Sequence, residues 1–485
     1  MNTIRRLLRP CIQTFATLPA VLAGFAILSL PSLAAAPASR PPNIIIILAD
    51  DLGWGDVGFN GCTDIPTPNL DRLAADGTIF RAGYATHPYC SPSRAGLMSG
   101  RYQQRLGHEC NTPYEHDDPE AGLPLDQPIL SEILHNEGYR TAMIGKWHLG
   151  DFPKFWPNRR GFDEWYGIYG GGLDYWGDTG DKPPIAGVLR NGEIVPREEI
   201  TYLTDNFTDE AIRFIDRNAD HPFFLYLAYN APHAPIQAPA RYLAMTEHIE
   251  DGARAAYAAM VVGMDIGIGR VLDKLRREDL YENTLVVFYS DNGGHLHGAS
   301  NAPFRGNKGM LFEGGIRVPF VISWPQRFHR GVVCEEPIIA LDIFPTALAA
   351  AGIPVPGGLD LEGIDLTPYL TGRTSAPPSR TLFWRVSGGA GWAVRQGDYK
   401  LVHSIFKPAP LLFDLRADPF EHHNLAEAMP EKCRELEALY TAWNAANIPP
   451  KWDDPHFANR DIQVRERQRH IDRAMAGEKT TRTAP

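Results

Sequence analysis

The hydrophobic pattern is clearest at Asn43–Asp50, NIIIILAD, a β-branched run with no polar alternation. Such a run predicts a strand buried on both faces, as in a parallel sheet covered by helices. Similar runs follow at Thr141–Gly145 (TAMIG), Pro222–Tyr229 (PFFLYLAY), Thr284–Ser290 (TLVVFYS) and Pro319–Ser323 (PFVIS). Between them, apolar residues recur at helical spacing over Asn69–Ala75, Leu130–Glu137, Asp205–Arg217, Ala253–Arg277 and Leu341–Ala351. This alternation predicts a doubly wound α/β fold, its sheet parallel or mixed and sandwiched by helices. The pattern changes after the linker-like TGRTSAPPS, Thr371–Ser379. Short strands are predicted at Thr381–Val386, Gly391–Arg395, Tyr399–His403 and Leu411–Asp414, then a helix at Pro430–Ala446. We therefore expect a main domain over 37–372, a smaller antiparallel α+β subdomain over 380–452, and a charged, weakly patterned tail over 453–485.

The first residues follow another logic. MNTIRRLLRP is basic, TFATLPAVLAGFAILSL is apolar and PSLAAAPAS supplies small residues. That order predicts a secretory signal peptide over 1–36, cleaved after Ala36, and hence a periplasmic or secreted protein without a stable membrane anchor. No later segment is expected to span a bilayer. A length of 485 residues is too great for one compact core, which agrees with the change of pattern. The net charge of -11 argues against nucleic acid as a partner, so any anion site must be a local cluster of cations. Beyond the leader the cysteines are Cys62, Cys90, Cys110, Cys334 and Cys433. An odd count leaves at least one thiol outside internal bridges, and Cys90 is the candidate. The other four allow three pairings, or free thiols, and nothing in the sequence chooses among them.

Charged and polar residues collect where the predicted strands end. NIIIILA runs into Asp50 and Asp51, TAMIG into Lys146, Trp147 and His148, PFFLYLAYNAP into His233, and TLVVFYS into Asp291 and Asn292. Ligands of open α/β sheets bind beyond the carboxyl ends of the strands, so four loaded endings on one rim define a site. Each ending alone would be ordinary turn or cap chemistry. Crowded carboxylates repel one another unless a cation joins them, and an all-oxygen donor set selects Ca²⁺ or Mg²⁺ over zinc. Lys146 and His148, two residues apart, face the same side if the backbone is extended. Lys308 follows the Gly-rich NAPFRGNKG and would join Lys146 in a cationic cluster.

The segment HPYCSPSRAGLMSGRY, His87–Tyr102, places one cysteine beside a predicted helix start. Pro92 suits a first helical turn, where its missing N–H costs nothing. Cys90 would then sit just outside the N-terminus, where the helix dipole favours negative charge, and Arg94 would reach back to the same point. The pattern presents residue 90 next to an anion.

CSPSR followed by AGLMSGR resembles the signature of the formylglycine-dependent sulfatases, and GYRTAMIGKWHLG resembles their second signature. ADDLGWGD, NAPHAP, SDNGGH and FDLRADPFEHHNLA extend the resemblance across nearly the whole chain beyond the leader, with Ser99 standing where Thr is more usual. The resemblance implies an alkaline-phosphatase-like fold and one Ca²⁺ held by Asp50, Asp51, Asp291, Asn292 and an oxygen of residue 90. It implies that Cys90 becomes Cα-formylglycine through a formylglycine-generating or radical maturation enzyme. It further implies that Arg94 steadies the nucleophile and that Lys146 and Lys308 bind sulfate. His148 would be the base, and His233, with or without Lys308, the acid for the leaving alcohol. The expected substrate is a sulfated sugar or an aryl sulfate. Two rivals remain at this stage: a phosphomonoester or phosphonate hydrolase on the same scaffold, and a non-catalytic binder of sulfated glycans.

The Gly-rich, aromatic segment Arg159–Asp181 resembles the corresponding part of N-acetylgalactosamine-sulfate sulfatases, which favours a carbohydrate substrate. Within it Trp165 and Tyr166 suit packing. Asp174, Tyr175 and Trp176, just after three glycines, are expected at the pocket rim, where aromatic faces and carboxylates meet sugars.

Overall fold

Successive residues of a strand point to opposite faces, and in Asn43–Ala49 both faces are apolar. Ile45, Ile47 and Ala49 enter one core, while Ile44, Ile46 and Leu48 enter another. Phe223–Ala228 and Thr284–Ser290 divide their side chains in the same way. The computed structural model describes residues 40–113, 118–178, 187–405 and 409–453. The leader expected over 1–36 lies outside the described residues, as does nearly all of the expected tail.

A mixed sheet of ten strands runs through the described residues. Its middle is parallel: Thr284–Ser290, Asn43–Ala49, Phe223–Ala228, Arg140–Lys146 and Glu164–Ile168 lie side by side in that order. Phe320–Ser323 was expected among the parallel strands but pairs antiparallel with Thr284–Ser290. A parallel neighbour needs a crossover to the opposite end of the sheet. Residues 291–319 instead stay at the carboxyl end, where they carry site residues, and the chain re-enters from that end.

Helices Pro68–Ala75, Leu203–Asn218 and Gly252–Arg277 cover one face, and Cys90–Ser99, Leu130–Asn136 and Ile343–Ala351 the other. By length and composition Gly252–Arg277 is apolar enough to cross a membrane. Its most apolar stretch is 78% buried, against Leu203–Asn218 and the sheet, so it is accounted for as a core helix. Asp251 starts it by accepting the N–H groups of Ala253 and Arg254. Cys62, Cys90, Cys334 and Cys433 are free thiols.

Thr381–Val386, Gly391–Gln396, Tyr399–His403 and Leu411–Asp414 form an antiparallel sheet, backed by helix Pro430–Asn444. Its face bearing Leu382, Trp384, Ala393 and Val402 shares one cluster with Tyr84, Tyr102, Leu311 and Phe312 of the larger sheet's loops. The smaller sheet therefore packs directly on loops that border the strand ends.

Gly145 shows how tightly those ends are built. It has φ +114, and a Cβ there would lie 1.8 Å from the Ala228 carbonyl oxygen. Gly138 also has positive φ, +87, but open space around it. Gly138→Ala should cost only backbone strain, about 1 kcal/mol. Gly145→Ala adds a backbone clash and should cost about 3 kcal/mol or more. Thermal unfolding of the two variants side by side tests this, and equal losses would refute the clash.

Candidate active site

Register brings the acidic pairs together. Ala49 is level with Ser290 in parallel strands, so Asp50 and Asp51 emerge beside Asp291 and Asn292. Asp51 adopts φ 66, a left-handed turn that Asp tolerates better than most residues. Its N–H points to Asp291 Oδ1 at 3.3 Å. Gly145 is level with Ala228, which sets Lys146 on the same rim.

Cys90 is the first residue of helix Cys90–Ser99, with Tyr89 at the N-cap, rather than one residue outside it. Gly100, at φ 64, ends that helix. The Cys90 Sγ is 3.4 Å from Asp50 Oδ1 and 3.1 Å from Lys308 Nζ, and the residue is only 1% exposed. Arg94 does not reach back to Cys90 as its main contact. Its Nε and Nη2 grip Asp291 Oδ2 at 3.0 and 2.8 Å, and Nη1 donates to the Lys146 carbonyl at 2.7 Å. It ties the helix to two strand ends. Lys146 Nζ meets Asp50 Oδ2 at 2.5 Å, and Lys308 Nζ meets Asp51 Oδ1 at 2.7 Å.

His148 enters the site by a different route from the one expected. Its φ is 57, so the backbone after Lys146 is turned rather than extended, and the two-residue alternation fails. The turn is held by the His148 N–H donating to the Tyr169 carbonyl at 2.9 Å. Burial, then Lys146 and Arg94, drives its proton affinity well below the usual range, and its buried Nδ1 has no partner among the described residues. His233 Nδ1 lies 2.6 Å from the Ala234 carbonyl. A carbonyl only accepts, so Nδ1 carries the hydrogen and Nε2 faces Asp51 Oδ2 at 3.7 Å with a free lone pair. Burial lowers this histidine too, outweighing Asp50 and Asp51.

The electrostatics and the donor atoms fit a divalent cation. Burial would raise all three carboxylates, yet Lys146 holds Asp50 down, helped by His233 and Arg94, and Lys308 chiefly holds Asp51 down. Asp291 is pushed up to about 7 by burial and by Asp50, against Arg94. The third carboxylate thus lacks enough positive charge to ionise freely. Asn292 donates from Nδ2 to Asp51 Oδ1 at 2.7 Å, whereas its buried Oδ1 has no partner among the described residues. Ligand atoms of Asp50, Asp51, Cys90 and His233 lie within 4.8 Å of one another. His233 is therefore closer to the acidic pair than its assigned role alone required.

The aromatic loop differs most from expectation. Tyr175 is 1% exposed, and its hydroxyl donates to the Asn230 and His233 carbonyls at 2.6 and 2.9 Å, so it braces the His233 loop instead of lining the rim. Asp174 is occupied as well, accepting from Gln237 Nε2 at 2.6 Å and from the Trp176 N–H at 2.9 Å. Trp176 is half-buried against Tyr202, with ring centroids 5.7 Å apart. Trp165 and Tyr166 are buried in the strand Glu164–Ile168. Of the three glycines only Gly171 serves close approach: a Cβ there would lie 2.9 Å from the His148 ring, whereas one on Gly170 or Gly172 would make ordinary contacts at 3.7 and 3.6 Å. Sequence reasoning missed His295, whose environment includes Asp51, Lys308 and His233 and whose ring stacks on His297 with centroids 4.4 Å apart. Its place four residues after Asp291, in SDNGGH, was the available signal.

Carboxylates, lysines and a helix-borne residue at the strand ends of such a sheet are the parts of an ester hydrolase for a tetrahedral anion. Residues 42–353 match the Sulfatase family model, and residues 305–438 match that of the N-sulphoglucosamine sulphohydrolase C-terminal region. The N-acetylgalactosamine-6-sulfatase of Canis lupus familiaris is 38% identical over 396 residues, covering 77% of this chain and 74% of that protein. The crystal structure of Ps i-CgsB in complex with k-i-k-neocarrahexaose superposes with TM-score 0.81 at 36% identity, over 90% of this chain and 100% of that one. The phosphonate monoester hydrolase SpPMH from Silicibacter pomeroyi, at 21% identity and TM-score 0.65, shares the fold. The chain belongs to the sulfatase family, within the alkaline phosphatase superfamily. It is a sulfuric ester hydrolase, of a family that typically uses formylglycine and a metal.

The brace role of Tyr175 has a measurable consequence. Tyr175→Phe removes the one hydroxyl hydrogen shared between the Asn230 and His233 carbonyls and should lower stability by about 1 kcal/mol. It should also reduce turnover equally on a sulfated sugar and a small aryl sulfate, because it loosens His233 rather than a sugar subsite. A loss confined to the sugar would return Tyr175 to the binding surface.

Proposed function

We propose that this protein hydrolyses sulfate monoesters of carbohydrates, using residue 90 as a hydrated formylglycine. The observation that carries the chemistry is the state of Cys90. Burial, then the neighbouring Asp50 and Asp291, pushes its thiol far up despite Lys146 and Lys308. An unmodified thiol here would be protonated, a poor nucleophile and a poor ligand. A gem-diol supplies oxygen instead, which matches the hard donors of Asp50, Asp51, Asp291 and Asn292. We assign those residues to one Ca²⁺, whose contribution when bound is to polarise the nucleophile and a sulfate oxygen.

In the reaction, one gem-diol hydroxyl gives up its proton to solvent as its oxygen attacks sulfur, and the S–O bond to the sugar breaks, leaving a sulfate ester on residue 90 and a free alcohol. Lys146 and Lys308, close to Asp50, Asp51 and Cys90, balance charge on the sulfate oxygens. His233 presents Nε2 toward the leaving oxygen. The arriving anion raises its proton affinity, so it protonates with substrate and then donates that proton to the alcohol. His148, neutral and unpaired at Nδ1, takes the proton of the second hydroxyl. The C–O bond to sulfate then breaks, the aldehyde re-forms, sulfate departs and water restores the diol.

The carbohydrate substrate is supported by the relatives with sugar-sulfate names and by the complex with k-i-k-neocarrahexaose. Trp176, half-buried against Tyr202, is the aromatic residue we retain for a sugar contact. The basic–apolar–small leader supports export to the periplasm or beyond, with maturation of Cys90 by a formylglycine-generating or radical enzyme.

Peptide mass spectrometry of natively produced, active protein should show the aldehyde at position 90, and Cys90→Ala should abolish turnover with unchanged unfolding temperature. Full activity from protein bearing only the thiol would refute the mechanism. Elemental analysis should find one Ca²⁺ per chain, lost together with activity in Asp291→Ala, whereas stoichiometric zinc would overturn the metal assignment. A preference for phosphate or phosphonate esters over sulfate esters would favour the rival hydrolase.

A further inference from the structure

Lys400 lies on Tyr399–His403 of the smaller sheet, outside the cluster around Asp50, Asp51 and Cys90, yet its ammonium is fully buried. A buried lysine is costly unless paired. Here Nζ donates to Glu313 Oε1 at 2.8 Å and to Glu421 Oε1 at 2.9 Å, and both of those residues are fully buried as well. The second Glu421 oxygen accepts the Glu313 main-chain N–H at 2.7 Å, and the Glu421 carbonyl accepts from Arg305 Nη1 at 3.0 Å. Glu313 Oε2 accepts the Tyr84 hydroxyl at 2.6 Å and Arg317 Nη1 at 3.3 Å. Burial would raise Glu313, but Lys400, Arg317 and Arg395 hold it down to about 2. Burial pushes Glu421 up to about 7, with Lys400 opposing.

The segment gripped in this way, 305–317, is the one that carries Lys308. Its other side is bonded to the catalytic loops. The Lys308 N–H donates to the Gly294 carbonyl at 3.1 Å, that of Gly309 to Pro88 at 2.9 Å, and that of Gly293 to Gly315 at 3.0 Å. Main chain lies directly on main chain: a Cβ on Gly293 would be 2.0 Å from the Gly314 carbonyl oxygen. The segment is a thin plate, with the smaller sheet on one side and the loops of Asn292 and Cys90 on the other.

We propose that Lys400 and Glu421 are positioning residues for Lys308. The Glu313–Lys400–Glu421 strut fixes where the Lys308 ammonium meets residue 90 and the scissile sulfate, a role that rests on the sulfatase reading above. Apolar packing alone would hold the smaller sheet in place, and replacing buried ion pairs by apolar residues is often neutral for stability. What the charges add is directed bonds of fixed length onto the plate's own main chain.

The test uses Lys400→Met and Glu421→Gln in the mature full-length enzyme, each assayed well below its own unfolding temperature. In Lys400→Met, kcat for a small aryl sulfate should fall roughly tenfold or more, and inhibition by inorganic sulfate should weaken in parallel. Glu421→Gln keeps an acceptor for the Glu313 N–H and should lose less. Neither change should add to the loss in Lys308→Ala, since no ammonium is left to position. A lowered unfolding temperature with unchanged kcat and sulfate affinity, or full additivity with Lys308→Ala, would overturn the proposal. If Lys400→Met does not fold, Glu421→Gln decides by the same readings. An inactive wild type would count against the sulfatase reading, and the strut would still be judged by calorimetric sulfate affinity of wild type against Glu421→Gln.

Discussion

Three buried carboxylates and three buried cations at the ends of parallel strands govern this structure. Asp50, Asp51 and Asp291 face Lys146, Lys308 and Arg94, all nearly or fully inaccessible to water. In so dry a place an unpaired charge would cost several kcal/mol, so each group fixes the position of another. Arg94 holds Asp291 and the Lys146 carbonyl, which locks the Cys90 helix onto two strands at once. The balance is not complete, because Asp291 stays reluctant to ionise and Asn292 keeps an unused oxygen. A site poised in this way attracts a further cation and an anion together, as the hydrolysis of a sulfate ester demands.

Much of the scaffold was legible because the strands buried on both faces leave no periodicity to misread. Thr284–Ser290 and three of the four smaller-sheet strands fall on the residues that their patterns mark. The direction of Phe320–Ser323 was not legible. A five-residue apolar run looks the same whichever way it is threaded, and only the path of residues 291–319 decides it. The long helix Gly252–Arg277 shows the same limit, since composition cannot distinguish a helix in a protein core from one in lipid.

The site was legible where side-chain chemistry follows directly on a strand end, as with Asp50, Asp51, Asp291 and Asn292. It was less so where position depends on a turn. His148 is brought in by a left-handed residue, which the alternation rule cannot anticipate. Tyr175 and Asp174 have the composition of a sugar-binding rim but spend their polar atoms on Asn230, His233 and Gln237. A tyrosine that braces and a tyrosine that binds are identical in sequence, and the difference lies in which carbonyls are within reach. Lys400 gave no sign and Glu421 stood out only as part of FDLRADPFEHHNLA, because their partner Glu313 is distant in the chain.

The burial of residue 90 also bears on biosynthesis. Cys90 is sealed beneath Lys308, and Lys308 sits on a plate held by Lys400 and Glu421, far toward the C-terminus. A catalyst that must grasp the cysteine cannot reach it once those late residues have been made and have folded into place. The interval between synthesis of residue 90 and synthesis of residue 421 is a period when the thiol lies open while the lock is not yet made. Under the maturation proposed above, folding of these late residues would set a deadline for modification. On that proposal a chain that folds ahead of it would keep its cysteine, well folded and inert.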